Sequence, residues 1–241
     1  MKEQSLPPMR IRDRLLTAMR EEEYADCPRL PRENVLSEQL GISRTQLRDV
    51  LALLEQEGFI TRRHGVGTVI NHHVLAAESR MDIEVEFMDM IRQAGRTPGL
   101  GEIRVLHELA DQEMARRLQV EEGSPLLRVS RVCTGDGKPV IYCEDVLPEG
   151  LICLDYEESD LEQPIFQFLR DFCRLDSYLD LTEVRPVTAD EKLSEILQVP
   201  VGAPLLFMDE TDYDIDGKPV FCSAEYFADG VFHHAVMRKR L

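Results

Sequence analysis

The strongest hydrophobic pattern in the chain lies between residues 34 and 71. It contains two apolar sets, and the second follows the i, i+3, i+4, i+7 spacing that marks one face of an α-helix. The sets are Val35, Leu36, Leu40 and Ile42, followed by Leu47, Val50, Leu51 and Leu54. Between them, Gly41 suits the left-handed C-cap of a first helix, and Ser43 is placed to cap the second. The pattern predicts a helix-turn-helix.

A two-stranded hairpin is predicted directly after this helix pair. Phe59–Thr61 and Thr68–Ile70 are short apolar runs typical of strands, and the tip between them is basic and flanked by glycines. Its residues are Arg62, Arg63, His64, Gly65, Val66 and Gly67. Such a wing can follow a phosphate backbone or enter a minor groove.

The second helix presents polar residues on the side that its apolar stripe does not use. In a docked helix-turn-helix, the first residues of this helix meet base edges in the major groove. Arg44 and Arg48 suit guanine and Gln46 suits adenine, whereas Ser43 or Thr45 can bond a phosphate or a base. The alternative interpretation is a solvated amphipathic helix pair with an ordinary hairpin. The order of cap, basic helix face and basic wing favours DNA binding.

The rest of the chain predicts alternating helices and strands. We expect a helix over Met9–Glu23, a linker over residues 72–81, and a helix over Asp82–Ala94 that stops at Gly95. A strand over residues 102–106 and a helix over Asp111–Gln119 follow. Further elements are an amphipathic helix over Gln163–Cys173 and a last strand around Ala235–Lys239.

An internal repeat organises the second half of the chain. Residues 118–127, LQVEEGSPLL, match residues 197–206, LQVPVGAPLL, and the sequence DGKPV recurs at 136–140 and 216–220. Each copy predicts a helix, a strand, an Asp-Gly turn and a second strand, because Asp-Gly supplies the positive φ angles of a hairpin. Two copies are too few for a solenoid, so we expect them to pair into one sheet.

The distribution of charge separates the two halves. The formal net charge is −17. Residues 1–72 contain 11 basic and 11 acidic side chains, whereas residues 73–241 contain 17 and 34, so the whole excess lies outside the predicted DNA-binding region. We expect the acidic half to restrict DNA contact to one face of the protein.

The cysteines and histidines show no spacing typical of a metal site. Cys27, Cys133, Cys143, Cys153, Cys173 and Cys222 form no C-x-x-C pair. We interpret them as small buried hydrophobes, with a thiol or metal sensor as the alternative, since Cys143 and Cys222 follow similar strands. No run of 18 apolar residues and no apolar signal core are present. We therefore expect a soluble, cytoplasmic protein with no metal, cofactor or membrane partner.

Residues 30–71 resemble the winged-helix domain of the GntR transcriptional regulators, nearly without gaps over about 60 residues around them. The resemblance implies DNA contacts from Ser43, Arg44, Thr45, Gln46, Arg48, His64 and Gly65, and the basic wing adds Arg62 and Arg63. Where the family usually has an arginine, this chain has Asn34, with Arg32 two residues earlier. We therefore expect an operator that differs from the usual one.

The repeat region, residues 82–241, resembles the UTRA effector domain of the HutC subfamily of these regulators. The resemblance implies an α+β fold like that of chorismate lyase, with a mixed or antiparallel sheet and a small-molecule site between its halves. It also implies a homodimer on palindromic operator DNA. The implied domains are residues 1–71 for DNA binding, 72–81 as linker and 82–241 for effector binding and dimerisation.

The same resemblance suggests where the effector binds. Members that sense sugar phosphates use two arginines and a glutamate, and the matching positions here are Arg131, Cys133 and Cys143, with Glu144 beside the last. Further candidates are Arg128, Glu225 and Tyr226. Arg128 lies three residues before Arg131, so the two side chains point to opposite faces of a strand. These departures favour a less polar or singly charged ligand.

The sequence therefore predicts a dimeric DNA-binding regulator, a repressor released by a small metabolite. An enzyme is the alternative from another class, because the second domain shares its fold with a lyase, yet no nucleophile motif or paired acid and base stands out. A third interpretation is a regulator whose second domain only dimerises.

Overall fold

The computed structural model describes residues 7–77 and 79–238, which form two compact units. The first contains the chain up to Glu84 together with the segment from His234 onwards, and the second is Val85–His233. The sequence predicts a boundary within residues 72–81, whereas the division between the two units falls after Glu84 and the segment from His234 belongs to the first unit. None of the helices in the described chain is long and apolar enough to cross a membrane.

Three helices build the core of the first unit. They are α1, Pro8–Arg20, α2, Glu33–Leu40, and α3, Arg44–Gln56. Gly41 has a φ of +66° and ends α2 in the left-handed conformation that glycine favours. Leu47, Val50, Leu51 and Leu54 are at most 1% exposed and pack against α1, which confirms the predicted stripe.

The wing consists of β1, Ile60–Arg63, and β2, Gly67–Ile70, paired antiparallel. Arg29 forms an isolated antiparallel bridge with Val69, and its guanidinium donates a hydrogen bond to the Val66 carbonyl at 3.0 Å. The tip of the wing is therefore held by the segment that precedes α2.

The segment predicted as a linker, residues 72–81, has regular secondary structure on both sides of residue 78. It contains α4, His72–Leu75, whose Leu75 joins the core of the first unit, and β3, Ser79–Arg80. The last strand of the chain, β10, His234–Ala235, runs parallel to β3. The predicted strand around Ala235–Lys239 is thus two residues long, and Lys239 lies outside the described residues.

The second unit is built on one six-stranded antiparallel sheet. Its order is β4, Pro98–Leu109; β5, Pro125–Gly135; β6, Lys138–Pro148; β9, Pro219–Ala228; β8, Pro204–Tyr213; and β7, Leu179–Thr188. The helices are α5, Phe87–Gln93; α6, Gln112–Leu118; α7, Ile165–Phe168; and α8, Glu191–Leu197. Two 3₁₀ helices, Glu149–Leu151 and Glu158–Glu162, precede α7, and a π-helical turn, Leu169–Cys173, continues it.

The internal repeat accounts for the symmetry of this sheet. The units α6–β5–β6 and α8–β8–β9 are the two copies, and β6 pairs with β9 at the centre, so both copies share one sheet as predicted. Asp136 and Gly137 have φ angles of +54° and +77° in the first hairpin turn. In the second, only Gly217 has a positive φ, because the Asp214 carboxylate accepts backbone hydrogen bonds from Asp216 and Lys218 at 2.9 Å.

The sheet has two differently covered faces, because successive residues of a strand point to opposite sides. On the α6–α8 face, Val146 and Tyr142 pack among residues of α6 and α8. On the α7 face, Val129, Leu147 and Phe221 pack against Phe168 and the segment around it. The predicted helix Asp82–Ala94 is shorter, since only Phe87–Gln93 is helical.

Candidate DNA-binding surface and effector site

A capping box fixes the start of α3. The Ser43 hydroxyl accepts a hydrogen bond from the Gln46 backbone N–H at 3.2 Å, and the Gln46 side-chain oxygen accepts one from the Ser43 N–H at 3.2 Å. The family resemblance implies DNA contacts for both side chains, yet in the free protein they satisfy the helix terminus. This cap sets the direction in which the next residues point.

Three side chains with DNA-binding chemistry lie exposed on the first turns of α3. They are Arg44, Thr45 and Arg48, opposite the buried stripe that begins at Leu47. The Arg48 guanidinium is 63% exposed and forms an ion pair of 2.8 Å with Glu33 at the start of α2. This pair joins the two helices of the helix-turn-helix at their exposed ends.

Glu55 near the end of α3 ties the helix to the wing. The Glu55 carboxylate accepts hydrogen bonds from the Arg62 guanidinium at 2.7 Å and from the Arg62 backbone N–H at 2.8 Å. Arg63, His64 and Gly65 are exposed beyond this contact. Gly65 has a φ of +75°, a conformation that a side chain would strain.

A groove of about 940 Å³ runs between the wing and the segment before α2. Its charged or ionisable lining side chains are Arg29, Arg32, Glu33, Arg62, Arg63 and His64. The structure therefore brings Arg32 together with the predicted wing residues, including Gly65. Asn34 lies nearby on α2 and is exposed, but it does not line this groove. Four arginines against one glutamate give the groove the charge that suits phosphate.

The predicted effector residues divide between the two faces of the second unit's sheet. Arg131, Cys133, Cys143 and Glu225 point to the α7 face, where Cys143 is the cross-strand partner of both Arg131 and Glu225. Arg128, Glu144 and Tyr226 point to the α6–α8 face, with Arg128 opposite Val146. The opposite directions of Arg128 and Arg131 agree with the spacing argument. The seven residues cannot all line one cavity.

Arg131 is buried and its hydrogen bonds are made within the protein. Its guanidinium donates to the Leu161 carbonyl at 3.0 and 3.1 Å and forms an ion pair with Asp145. Asp145 is 3% exposed and also accepts a hydrogen bond of 2.8 Å from the Ser223 hydroxyl. Burial raises the pKa of Asp145 although Arg131 and Ser223 act in the opposite direction. The arginine that matches an anion anchor therefore already carries an internal counter-ion.

The two cysteines on this face are buried thiols, and Cys143 lies between the charged side chains of Arg131 and Glu225. Burial raises the pKa of Cys133 to about 12 and the pKa of Cys143 well above its ordinary value. Cys222, which follows a strand similar to that of Cys143, lies on the α6–α8 face opposite Val146. Cys143 and Cys222 are therefore separated by the sheet, and this geometry argues against a paired thiol sensor.

The residues on the α6–α8 face form a network of ion pairs and rings. Arg128 contacts Glu108 at 2.7 Å, Glu144 accepts a hydrogen bond from Lys192 at 3.0 Å, and Tyr226 stacks on Tyr142. Burial acts to raise the pKa of Glu144, but bonds from Tyr142 and Lys192 outweigh it and lower the pKa. A pocket beside Tyr142 holds about 10 Å³, which is room for one water.

Sequence reasoning missed two buried carboxylates on the α7 face, Glu210 and Asp212. They are 7% and 1% exposed, and burial raises their pKa values to about 7 and about 8. The repeat contains a signal for both. When residues 127 and 206 are aligned, Glu210 falls on Arg131 and Asp212 falls on Cys133, so the second copy puts acids where the first has an arginine and a thiol.

The first unit is a winged helix-turn-helix with a basic groove, and the second is built on a six-stranded antiparallel sheet. Together they define a two-domain DNA-binding regulator. Residues 8–70 match the model of the bacterial regulatory proteins of the gntR family, and residues 93–232 match that of the UTRA domain. The chain belongs to the GntR family of transcriptional regulators and carries a UTRA effector-binding domain, an architecture consistent with the HutC subfamily.

Relatives and solved structures agree with this assignment. The chain is 28% identical over 223 residues to an uncharacterized HTH-type transcriptional regulator, RB1450 of Rhizobium meliloti, covering 90% of this chain and 89% of that protein. It is 26% identical over 205 residues to the HTH-type transcriptional repressor NagR of Bacillus subtilis, covering 84% and 82%. The crystal structure of the possible regulator YydK from Bacillus subtilis has a TM-score of 0.74 at 20% identity, covering 97% and 100%. At this identity, the similarity to YydK shows a shared fold and nothing further.

Proposed function

We propose that this protein is a homodimeric repressor that binds palindromic operator DNA and releases it when a small metabolite binds its second unit. DNA binding is supported chiefly by one observation. Three exposed residues of α3, Arg44, Thr45 and Arg48, lie on the same unit as the basic groove of the wing. The name of NagR as a repressor supports the direction of control. We place its site of action in the cytoplasm, with the DNA.

We assign base-edge contacts to the start of α3 and backbone contacts to the wing. Arg44 and Arg48 suit guanine edges in a major groove, and Thr45 lies between them. The wing residues Arg62, Arg63, His64 and Gly65, with Arg32, suit phosphate or a minor groove. Ser43 and Gln46 hold the helix start in place, and Asn34 stands beside it. Arg48 must leave Glu33 to reach a base, so that ion pair opposes binding slightly.

A homodimer follows from the way such helices read DNA. One α3 covers a half-site of a few base pairs, and two helices related by a two-fold axis double that contact and require a symmetric operator. We assign DNA binding to the first unit, and effector binding with dimerisation to the second. We further infer that the second unit binds its ligand without converting it, since the relatives are named as regulators.

Fluorescence anisotropy with operator DNA from the region upstream of its own gene tests the DNA-binding assignment. Arg44→Ala and Arg48→Ala should each weaken operator binding by about 1–3 kcal/mol and reduce the preference for operator over unrelated DNA, because each removes a base-edge contact. Arg104→Ala removes an exposed arginine of the second unit and is the matched control. If both α3 variants bind with the affinity and the sequence preference of the control, their assigned role is refuted.

Light scattering on the purified protein tests the dimer, and a thermal-shift screen of metabolites tests the effector. A tight ligand at one hundred times its Kd should add about 2.7 kcal/mol of stability. A regulator whose second unit only dimerises would show no stabilising ligand while still binding its operator. A strictly monomeric protein that ignores every fragment of genomic DNA would refute the proposed function.

A further inference from the structure

A row of buried polar side chains crosses five strands on the α7 face. Asp145, Ser223, Glu210 and Thr182 are successive cross-strand partners on β6, β9, β8 and β7, and Arg131 on β5 extends the row by its ion pair with Asp145. The Ser223 hydroxyl donates to Asp145 at 2.8 Å, and the Thr182 hydroxyl lies 3.0 Å from a Glu210 oxygen. The row is thus a continuous polar surface inside an otherwise apolar layer.

The charges in this row do not balance. Asp145 has Arg131 as its counter-ion, whereas neither Glu210 nor Asp212 has an ion-pair partner among residues 7–77 and 79–238. Asp212 lies two residues after Glu210 on β8, so the two side chains share a face. Two further negative charges in a buried site are costly unless a cation compensates them. When they ionise, these two carboxyl groups therefore have no cation to pair with among the described residues.

Asp212 supplies an independent sign of a missing partner. Its Oδ1 accepts a hydrogen bond of 2.8 Å from the Ser177 hydroxyl, but its Oδ2 is buried with no hydrogen-bond partner within the part of the chain that the structure describes. Such an atom costs about 1–3 kcal/mol when nothing pairs with it. Because the pKa of Asp212 is raised to about 8 by burial, the free protein can hold this group as a neutral acid.

The surroundings of Asp212 fit an organic cation better than a metal ion. Within the described chain, Glu210 belongs to a group of three candidate metal ligands but Asp212 does not, so metal ions are among the probes below. Its cross-strand partner is Phe221, and the Phe166 ring packs edge-on against Phe221 with 5.6 Å between centroids. These rings make the surroundings of Asp212 apolar, so a positively charged nitrogen that meets its carboxylate is paired away from water.

An anionic group would find the buried arginine of this face already paired. The buried arginine, Arg131, already bonds Asp145 and the Leu161 carbonyl. Any anion placed near it would also meet Asp145, its ion-pair partner. The electrostatics of the face therefore disfavour a phosphate or carboxylate and favour an ammonium group.

Resting on the function proposed above, we propose that the effector carries a protonated primary amine, which Asp212 and Glu210 bind on the α7 face of the second unit. The ammonium donates hydrogen bonds to Asp212 Oδ2 and to the Glu210 carboxylate. This names the chemical class of ligand and the two residues that select it.

A matched set of probes tests this assignment on the full chain. The amines are phenethylamine, histamine, putrescine and agmatine, compared with 2-phenylethanol and 3-phenylpropanoate as uncharged and anionic analogues of the first, all at millimolar concentration. We expect at least one amine to raise the melting temperature and to release operator DNA in an anisotropy assay, whereas the uncharged and anionic analogues do neither. Calorimetry then gives the affinity of the amine that binds.

Substitutions locate the binding. Asp212→Asn and Glu210→Gln should each weaken amine binding about tenfold or more, the usual effect of removing a charged hydrogen bond. Glu108→Gln, which removes a carboxylate from the α6–α8 face beside Arg128, should leave it unchanged. Circular dichroism of each variant confirms that it folds.

Four results with the amine and metal probes overturn the proposal. These are no binding by any amine, equal binding by the uncharged analogue, amine binding that survives both substitutions, or stabilisation by Mg²⁺, Mn²⁺ or Zn²⁺ alone that Asp212→Asn abolishes. An anionic metabolite that releases the operator would also overturn the amine assignment but leave the regulator intact. Failure to bind any operator would instead defeat the proposed function, so the two failures are distinguishable.

Discussion

Replacing Asp212 with asparagine should make the second unit more stable at neutral and higher pH. The folded protein raises the pKa of Asp212 from 3.8 to about 8, first through burial and then through Glu210, Asp180 and Asp145 nearby. The unfolded chain ionises near the ordinary value. Folding therefore takes up a proton at pH values between these two. The contribution of Asp212 to the free energy of unfolding is fully present below about pH 4 and is lost as pH rises towards 8.

The size of the effect follows from the two pKa values. Each pH unit between them costs about 1.4 kcal/mol, so the wild-type protein should lose about 4 kcal/mol between about pH 5 and about pH 8 through this group. Asparagine keeps the acceptor for Ser177 but cannot ionise, so the variant lacks this part of the slope. Glu210, with a pKa of about 7, retains a slope in both proteins.

Urea unfolding followed by far-UV circular dichroism measures the difference, since the chain has no tryptophan for fluorescence. The free energies of unfolding of wild type and Asp212→Asn should lie close together at the acidic end and separate steadily as pH rises. The exposed Asp229→Asn is the control and should follow the wild type. Parallel curves for wild type and Asp212→Asn would refute the argument from burial.

Other substitutions test the remaining interactions. Ser43→Ala removes the cap of α3 and should cost about 1 kcal/mol in urea unfolding; an unchanged midpoint would show that the capping box contributes nothing. Arg131→Met leaves the buried Asp145 uncompensated and should cost about 3–5 kcal/mol, most of it restored by adding Asp145→Asn; a single variant as stable as wild type would contradict the ion pair. Glu33→Gln frees Arg48 and removes a negative charge from the groove, so operator affinity measured by anisotropy should rise a few-fold at low salt; weaker binding would mean that Glu33 positions Arg48.

The first unit could be predicted from sequence because its signals are local. The stripe from Leu47 to Leu54 has the helical period, and Gly41 and Ser43 mark the ends of the two helices. The Asp-Gly turn at Asp136 and the repeat identify β5, β6, β8 and β9 in the same way. These elements depend on neighbours within a few residues, so a linear pattern contains them.

The candidate effector site is less predictable because it depends on register across strands. Arg131 matches an anion anchor, but its partner Asp145 is 14 residues away and the Leu161 carbonyl is 30 away. Asp212 is buried beside Ser177, 35 residues earlier. No local pattern reports which face of a sheet two distant residues share, and a shift of one residue would exchange the faces.

The pairing of the C-terminal strand determines how the first unit can be produced in isolation. Because β10 pairs with β3, the Val85–His233 unit is an insertion within the fold of the first unit and is joined to it by two peptide crossings, one on each side. The Met81 N–H donates a hydrogen bond to the Ala235 carbonyl at 2.8 Å. This bond joins the two chain segments of the first unit that lead into and out of Val85–His233. A head cut off after Glu84 would lose a strand of its own fold. An isolated first unit that keeps this strand therefore needs the chain up to Glu84 joined by a short linker to the segment from His234 onwards.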